Sequence, residues 1–199
     1  AQQLRDEWIT GLSHDLKTPL SSILGYSAML ASKDYEWSKE EVQSFAETME
    51  EKAQYMDALI KELTYTYQLK NKAITLTKEQ INVAQLLSGQ QSPRVKVKVA
   101  HNTTVYADEL ALKRILNNLL SNSLQYTPEE KEVTVHVNET KTDTIFTISD
   151  QGTGIPQEKL DNLFERYYRG TNTTTDTKGT GLGIAITKQL IDLHNGDIS

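Results

Sequence analysis

The sequence of 199 residues contains no cysteine, which excludes disulfide bonds and any metal site built from thiolate ligands. It also has no apolar run close to the roughly 20 residues that cross a bilayer, and its start, AQQLRDEW, lacks the apolar stretch of a secretion signal. We therefore expect no direct membrane contact by this fragment, and any anchor to lie outside it. The formal net charge of -6 predicts no broad basic surface and hence no nucleic-acid partner.

Apolar residues in the first part of the chain recur at alternating steps of three and four, the heptad pattern of a helix in a bundle. One series comprises Ile9, Leu12, Leu16, Pro19, Ile23, Tyr26 and Leu30, and a second comprises Val42, Phe45, Met49, Met56, Leu59 and Leu63. Between them SKDYEWSKEE breaks the period, and Ser38 with Glu41 predicts a capping box. A hairpin of two helices is thus predicted over residues 1–72. Because a lone hairpin cannot enclose a core, we expect a homodimeric four-helix bundle.

The pattern changes after Asn71 to short β-rich runs that alternate with helical ones. Strands are predicted at 74–77, 95–99, 132–139 and 144–149, and helices at 108–125 and 181–194, with Asp108 as an N-cap. The expected fold class is therefore α+β, with the antiparallel helical hairpin followed by an α/β sandwich over residues 73–199.

His14 occupies heptad position f when Ile9 is taken as position a, so its side chain is expected to face solvent. Asp15 is adjacent, Thr18 lies one turn later, and Pro19 is expected to interrupt the helix. Imidazole is a nucleophile near neutral pH, and a carboxylate can orient it or accept its proton, so the group could attack an electrophilic phosphorus. Thr18 could position a water for the reverse hydrolysis. The alternative is an ordinary surface histidine.

Asn118 and Asn122 are four residues apart on a predicted helix and so share a face. Amide oxygens at this spacing can coordinate a hard cation such as Mg²⁺ together with nucleotide phosphates. The alternative is a polar stripe on a solvated helix.

The segment Asp150-Gln-Gly152-Thr-Gly154 follows a predicted strand. Its glycines allow tight turns, and its carboxylate could accept hydrogen bonds from an exocyclic amine such as that of adenine. A plain turn is the other interpretation.

A third glycine-rich segment, from Lys178 to Gly183, opens a helical run and follows the polar stretch GTNTTTDTK. Backbone N–H groups at a helix start can bind phosphate, and the polar stretch is typical of a lid over a ligand. A disordered loop remains the alternative. The sequence is neither a Walker loop nor a dinucleotide fingerprint.

The motifs SHDLKTPL, NLLSNSLQYTP, DQGTGIP, LFERYYRG and GTGLGIAI, in this order, resemble the boxes of sensor histidine kinases. The resemblance covers nearly the whole chain. It implies a dimerisation and phosphotransfer hairpin followed by a Bergerat-type ATP-binding domain. It further implies that His14 is the phosphoacceptor, Asp15 its acid/base partner and Thr18 a residue used in dephosphorylation of the response regulator. Asn118 and Asn122 would hold Mg²⁺.

The same resemblance implies the nucleotide contacts. Tyr126 would lie near the ribose and phosphates, Asp150 would bind the adenine amine, and Arg169, more than Arg166, would reach the γ-phosphate. The remaining residues of this implied site are Gln125, Gly152, Gly154, Ile155, Lys178, Gly179, Thr180, Gly181, Leu182 and Gly183, with the last glycines allowing the lid to hinge.

The activity implied is ATP-dependent autophosphorylation of His14 and transfer of the phosphoryl group to an aspartate of a response regulator receiver domain, with phosphatase activity on that regulator. The fragment would be the cytoplasmic portion of a membrane-anchored bacterial sensor.

Gln125 stands where the family usually has Lys or Arg, the segment 88–94 is short, and the chain stops before the strands that normally close the sheet. A dimeric scaffold or phosphatase with a weakened nucleotide site is therefore the alternative; a gyrase- or Hsp90-like ATPase is disfavoured by the SHDLKTPL motif.

Overall fold

The structure of the chain, a computed structural model, describes residues 2–71, 74–157, 163–164 and 182–199. These residues fall into two compact units, Ala1–Tyr67 and Gln68–Ser199. Among the described residues, no helix is both long enough and apolar enough to cross a membrane.

The first unit is built from α1 (Gln2–Ala31) and α2, which spans Lys39–Lys70 and so ends just beyond it. The predicted capping box is confirmed: the Ser38 N–H donates to Glu41 Oε2 at 2.8 Å, and the Glu41 N–H donates to Ser38 Oγ at 3.1 Å. Hydrogen bonding to the carboxyl, first by the Ser38 N–H and then by the Ser38 hydroxyl, lowers the pKa of Glu41. The start of α2 is therefore fixed by local sequence.

Aromatic side chains hold the turn between the two helices. The rings of Tyr26 in α1 and Phe45 in α2 lie 5.1 Å apart, and Trp37 packs edge-on against Phe45 at 5.0 Å. The Trp37 indole N–H also donates to the Met29 carbonyl at 3.1 Å, near the end of α1. These contacts bring the seams of α1 and α2 together as an antiparallel hairpin, as the two apolar series predict.

The expected interruption at Pro19 is wrong, because α1 continues through it. A proline inside a helix removes one backbone N–H donor, here the one that would serve the carbonyl of Asp15. The ring of Pro19 is buried, and burial of its apolar surface offsets part of that cost.

The second unit is an α/β sandwich. Its elements are β1 (Lys78–Asn82), α3 (Val83–Leu87), β2 (Val95–Lys98), β3 (Thr104–Asp108), α4 (Glu109–Tyr126), β4 (Val133–Glu139), β5 (Thr144–Ser149) and α5 (Gly183–Leu193). β1 pairs antiparallel with β3, while β4 lies between β2, which is parallel to it, and β5, which is antiparallel. Thr104 joins the two sheets: its N–H donates to Glu139 Oε1 at 3.1 Å, and its carbonyl accepts from Thr144 Oγ1 at 3.2 Å.

Two sequence expectations for this unit need correction. Residues 74–77 are not a strand; the strand starts at Lys78, which pairs with Asp108 of β3. Asp108 Oδ2 accepts the N–H of Thr77 at 2.8 Å, so this N–H is bonded to a side chain outside the ladder. The strand β3 and the short helix α3 were not anticipated from the sequence.

The core of the second unit lies between the sheets and α4. Three valines of β4 and a stripe of leucines on α4 are buried against each other, namely Val133, Val135, Val137, Leu112, Leu116 and Leu120. The predicted N-cap is confirmed, because Asp108 Oδ1 accepts the N–H of Ala111 at 2.9 Å. The leucine stripe fixes the rotation of α4, which also packs against α5. That rotation determines where its polar residues lie.

Candidate functional site

The first candidate group lies on α1 in the hairpin unit. The side chain of His14 is 81% exposed, whereas that of Asp15 is only 19% exposed, and His14 Nδ1 lies 3.7 Å from Asp15 Oδ1. Exposure of His14 is what heptad position f predicts. At 3.7 Å the contact is electrostatic and longer than a hydrogen bond, and it places the carboxylate on the Nδ1 side of the ring. A carboxylate there favours the tautomer with its proton on Nδ1, which leaves the lone pair of Nε2 for attack.

Thr18 lies one turn beyond the histidine and is exposed. Its hydroxyl donates to the carbonyl of His14 at 3.2 Å, and its own carbonyl accepts from the Ser22 hydroxyl at 3.4 Å. A hydroxyl engaged as a donor still has lone pairs to accept a hydrogen bond from water. The arrangement therefore leaves Thr18 able to bind a water on the solvent side of α1.

The second candidate group lies on α4 and α5 in the other unit. Asn118 and Asn122 are both half-buried on α4. Asn118 Nδ2 donates to the Gly183 carbonyl at 3.1 Å and approaches Thr187 Oγ1 at 3.4 Å, so the amide nitrogen is used to hold the first turn of α5. The amide oxygen of Asn118 is left as an acceptor, which is the atom that a hard cation would need.

The far end of α5 is attached to the start of α4. His194 Nε2 accepts the N–H of Asp108 at 3.0 Å, and His194 Nδ1 lies 2.7 Å from the Leu190 carbonyl. Burial by itself would raise the pKa of the Asp108 carboxyl, but bonds from the N–H groups of Ala111 and Thr77, together with nearby His194, lower it overall. α4 and α5 are thus connected at two separate places.

The carboxyl end of α4 meets the glycine-containing turn after β5. Asp150 Oδ1 accepts the N–H of Gly152 at 2.8 Å. A Cβ on Gly152 would lie 2.5 Å from the carbonyl oxygen of Tyr126, a distance that real Cβ atoms essentially never show. Gly154 has a φ of 72°, in the left-handed region that favours glycine. Both glycines therefore have a structural reason: Gly152 allows the turn to approach the end of α4, and Gly154 adopts a left-handed conformation.

The other predicted nucleotide residues divide into two groups. The first group lies within the described residues. Three of its members are exposed, namely Gln125, Tyr126 and Ile155, while Leu182 is buried and precedes Gly183 at the start of α5. The remaining predictions lie outside the described residues; they are Arg166, Arg169, Lys178, Gly179, Thr180 and Gly181. The structure thus brings together Asn118 with Gly183 and Tyr126 with Gly152.

Sequence reasoning missed Thr187 and His194. Thr187 is fully buried and reaches Asn118, and His194 accepts the backbone N–H of Asp108. Neither lies in a recognisable motif. Both lie within the helix predicted at 181–194, but no local pattern identifies partners that are 69 and 86 residues away in sequence.

Comparisons with known families divide the chain in the same order. Residues 4–71 match the family model described as "His Kinase A (phospho-acceptor) domain". Residues 107–199 match the model described as "Histidine kinase-, DNA gyrase B-, and HSP90-like ATPase". Together the two matches cover most of the chain and include both candidate groups.

Curated relatives align along the whole chain. The sensor histidine kinase YvrG of Bacillus subtilis is 42% identical over 208 residues, which covers 99% of this chain and 36% of the relative. The sensor protein VanS of Enterococcus faecium is 32% identical over 210 residues, covering 100% of this chain and 54% of the relative. This chain therefore spans about a third to a half of the length of these relatives.

Solved structures share the fold. The histidine kinase AdeS of Acinetobacter baumannii aligns with a TM-score of 0.67 over 90% of this chain and 86% of that chain, at 20% identity. The mycobacterial sensor histidine kinase MprB aligns with a TM-score of 0.51 over 60% of this chain and 81% of that chain, at 27% identity. The helical hairpin followed by an α/β sandwich is thus confirmed as the fold.

Proposed function

Because this chain belongs to the sensor histidine kinases of two-component systems, we propose that it transfers the γ-phosphoryl group of ATP to His14 and then to an aspartate of a response regulator. The observation that carries this proposal is the exposed imidazole of His14, with the Asp15 carboxylate on its Nδ1 side. The match to an ATPase domain over residues 107–199 implies ATP binding in the second unit.

In the first step His14 Nε2 attacks the γ-phosphorus, an N–P bond forms, and the bond from that phosphorus to the bridging oxygen of ADP breaks. Asp15 orients the ring and stabilises the proton on Nδ1 as positive charge develops there. Phosphoryl transfer depends mainly on positioning and on neutralisation of charge, so the chain needs few groups that react covalently. In the second step the phosphoryl group passes to the regulator's carboxylate, and the imidazole is regenerated.

Asp150 is proposed to bind the adenine amine, and Gln125, Tyr126 and Ile155 to line the rest of the nucleotide site. Arg166, Arg169 and Lys178 would add positive charge near the phosphates. The oxygens of Asn118 and Asn122 suit Mg²⁺, which prefers oxygen ligands, and the bond from Asn118 Nδ2 to Gly183 keeps the Asn118 oxygen available. When bound, Mg²⁺ would neutralise charge on the nucleotide phosphates.

A homodimer is proposed as the active assembly. Several apolar side chains of the hairpin are exposed in the single chain, among them Leu20 at 42%, Leu24 at 60% and Ile60 at 49%. A second copy of the hairpin would cover such side chains in a four-helix bundle.

A receiver domain is the second proposed partner, and Thr18 is proposed to position the water that removes its phosphoryl group. The relatives are sensor proteins, which supports placing this fragment on the cytoplasmic side of a membrane-anchored protein.

The test is incubation with γ-labelled ATP and Mg²⁺. We expect acid-labile, base-stable label on the parent and none on His14→Gln. Label that persists on His14→Gln would remove His14 as the acceptor.

The second candidate function, a scaffold or phosphatase with a weakened nucleotide site, is favoured by Gln125, which brings no positive charge to the phosphates. Retained nucleotide binding without any label on the parent would support that function.

A further inference from the structure

The loop that follows α4 is folded around one arginine. Arg94 immediately precedes β2, and its Nη2 donates to the carbonyls of Thr127 at 2.9 Å and Pro128 at 3.1 Å. The same nitrogen lies 3.5 Å from the Leu124 carbonyl, and Arg94 Nε lies 3.5 Å from the carbonyl of Lys131. Arg94 is half-buried, and in the part of the chain that the structure describes no carboxylate forms an ion pair with it. Its side chain is therefore occupied with backbone carbonyls.

The end of α4 needs such a partner. The last carbonyls of a helix have no N–H donor within the helix, and they carry the negative end of its dipole. Pro128 cannot supply an N–H, and Thr127 before it is already extended. The Thr127 hydroxyl serves the Ser123 carbonyl at 2.6 Å, and Arg94 serves the Leu124 carbonyl. A planar guanidinium can reach several carbonyls at once, which an ammonium group cannot do as well.

The same end of α4 lies against the turn that carries Asp150, the residue proposed to bind adenine. The Tyr126 carbonyl lies so close to Gly152 that a Cβ there would be 2.5 Å away. Gly152 in turn donates its N–H to Asp150 Oδ1 at 2.8 Å. The place where α4 stops thus determines where the Asp150 carboxylate lies relative to α4.

We propose that Arg94 is a positioning residue of the nucleotide site: by binding the carbonyls of residues 124, 127, 128 and 131 it fixes the end of α4 against the turn that carries Asp150. This inference rests on the proposed ATP site. In this proposed role Arg94 does not touch the nucleotide. Its backbone carbonyl also accepts the N–H of Val133 at 2.8 Å, so the residue is anchored where β2 and β4 begin to pair.

The experiment compares the full 199-residue chain with Arg94→Met, which keeps the stem, and with Arg94→Lys, which keeps the charge. Lys98→Met, at the exposed end of the same strand, is the matched control. Dissociation constants are measured for ATP and for purine riboside triphosphate, which lacks the 6-amino group, at a temperature where circular dichroism shows every variant folded.

We expect ATP to bind Arg94→Met at least about tenfold more weakly, since tenfold in the dissociation constant corresponds to about 1.4 kcal/mol, close to what one hydrogen bond to a charged group such as the Asp150 carboxylate contributes. The preference for ATP over purine riboside triphosphate should fall as well, with Arg94→Lys intermediate and Lys98→Met like the parent. A purely structural arginine would lower the melting temperature and leave that preference unchanged, which would overturn the proposal. ATP affinity equal to that of the parent would also overturn it. If the parent itself fails to bind ATP, the proposed function fails and this inference fails with it.

Discussion

Replacement of Gly152 by alanine is the sharpest test of how the turn after β5 packs against the end of α4 in the second unit. The added Cβ would lie 2.5 Å from the Tyr126 carbonyl oxygen and 3.0 Å from Asp150 Oδ1. Ordinary contacts begin at 3.4 Å, so the turn and the end of α4 must separate by about 0.9 Å at the first of these contacts. The neighbouring atom is backbone and cannot swing away as the end of a flexible side chain could.

The expected cost follows from two opposing effects. Overpacking of this kind destabilises a protein by about 1–3 kcal/mol. Replacing glycine also lowers the conformational entropy of the unfolded chain, which stabilises the folded protein by about 0.4–1 kcal/mol. Because the contact is with backbone, we take the upper half of the overpacking range, about 2–3 kcal/mol, and expect Gly152→Ala to lower the free energy of unfolding by about 1–2.6 kcal/mol. ATP should also bind at least about tenfold more weakly, because the carboxylate proposed to bind adenine moves with the turn and a hydrogen bond to a charged group contributes about 1.5–3 kcal/mol.

The assay is urea unfolding followed by far-ultraviolet circular dichroism, with titration of ATP into the folded protein. Both tryptophans, Trp8 and Trp37, belong to the hairpin unit, so their fluorescence reports on that unit and should not change in the folded variant. Gly89→Ala is the matched control, since a Cβ there meets nothing within 4 Å. A Gly152→Ala protein that unfolds and binds ATP like Gly89→Ala would refute the contact between α4 and the Asp150 turn.

Three further substitutions test the N-cap of α4, the hydrogen bonds of Asn118 and the role of Thr18. Asp108→Ala removes the N-cap of α4 and should cost about 1 kcal/mol at pH 7. Native contacts lower the pKa of Asp108, so the stability that its carboxylate contributes is fully present above the unfolded pKa of about 3.9 and is lost as the pH falls below that value. The difference in unfolding free energy between parent and Asp108→Ala, measured in urea, should therefore shrink at low pH. A difference that does not change with pH would contradict the assignment. Thr187→Val removes one acceptor of Asn118 and should cost no more than about 1 kcal/mol, since Gly183 still accepts; a larger loss in the same assay would show that Thr187 holds more than this bond. Thr18→Ala should keep autophosphorylation and lose regulator dephosphorylation, and normal dephosphorylation would remove Thr18 from that reaction.

The hairpin could be predicted from sequence because its signals are local. The two apolar series place Tyr26 and Phe45 on facing seams, and their rings do meet. Ser38 and Glu41 form the capping box that their spacing predicts. The role of Trp37 was not predicted. It lies between the two apolar series, where no periodic pattern indicates which helix end its side chain will contact.

The strands of the second unit were predicted less well where their residues are polar. Residues 74–77 have the higher β propensity, but the strand is Lys78–Asn82, in which only Ile81 is buried. Its position is set by pairing with β3, a strand that lies 22 or more residues further along the chain. Pairing between distant segments leaves no periodic pattern in either of them.

The motif residues of the proposed nucleotide site could be named from the sequence, but the contacts that place the described ones could not. Asn118 reaches Gly183 across 65 residues, and Arg94 reaches Thr127 across 33. Such bonds depend on how α4 is rotated by its buried leucines and on where it ends. A single sequence shows which residues can do the chemistry, whereas the packing decides which backbone atoms hold them.

The acceptor atom of the phosphoryl group can be located by ³¹P nuclear magnetic resonance on the base-stable phosphoprotein after reaction with ATP and Mg²⁺. The Asp15 carboxylate lies on the Nδ1 side of the His14 ring, so we expect phosphohistidine at Nε2 in the parent and no phosphohistidine in His14→Gln. Phosphohistidine at Nδ1 would contradict the role given to Asp15, and a phosphoryl group on any other residue would contradict the assignment of His14 as the acceptor.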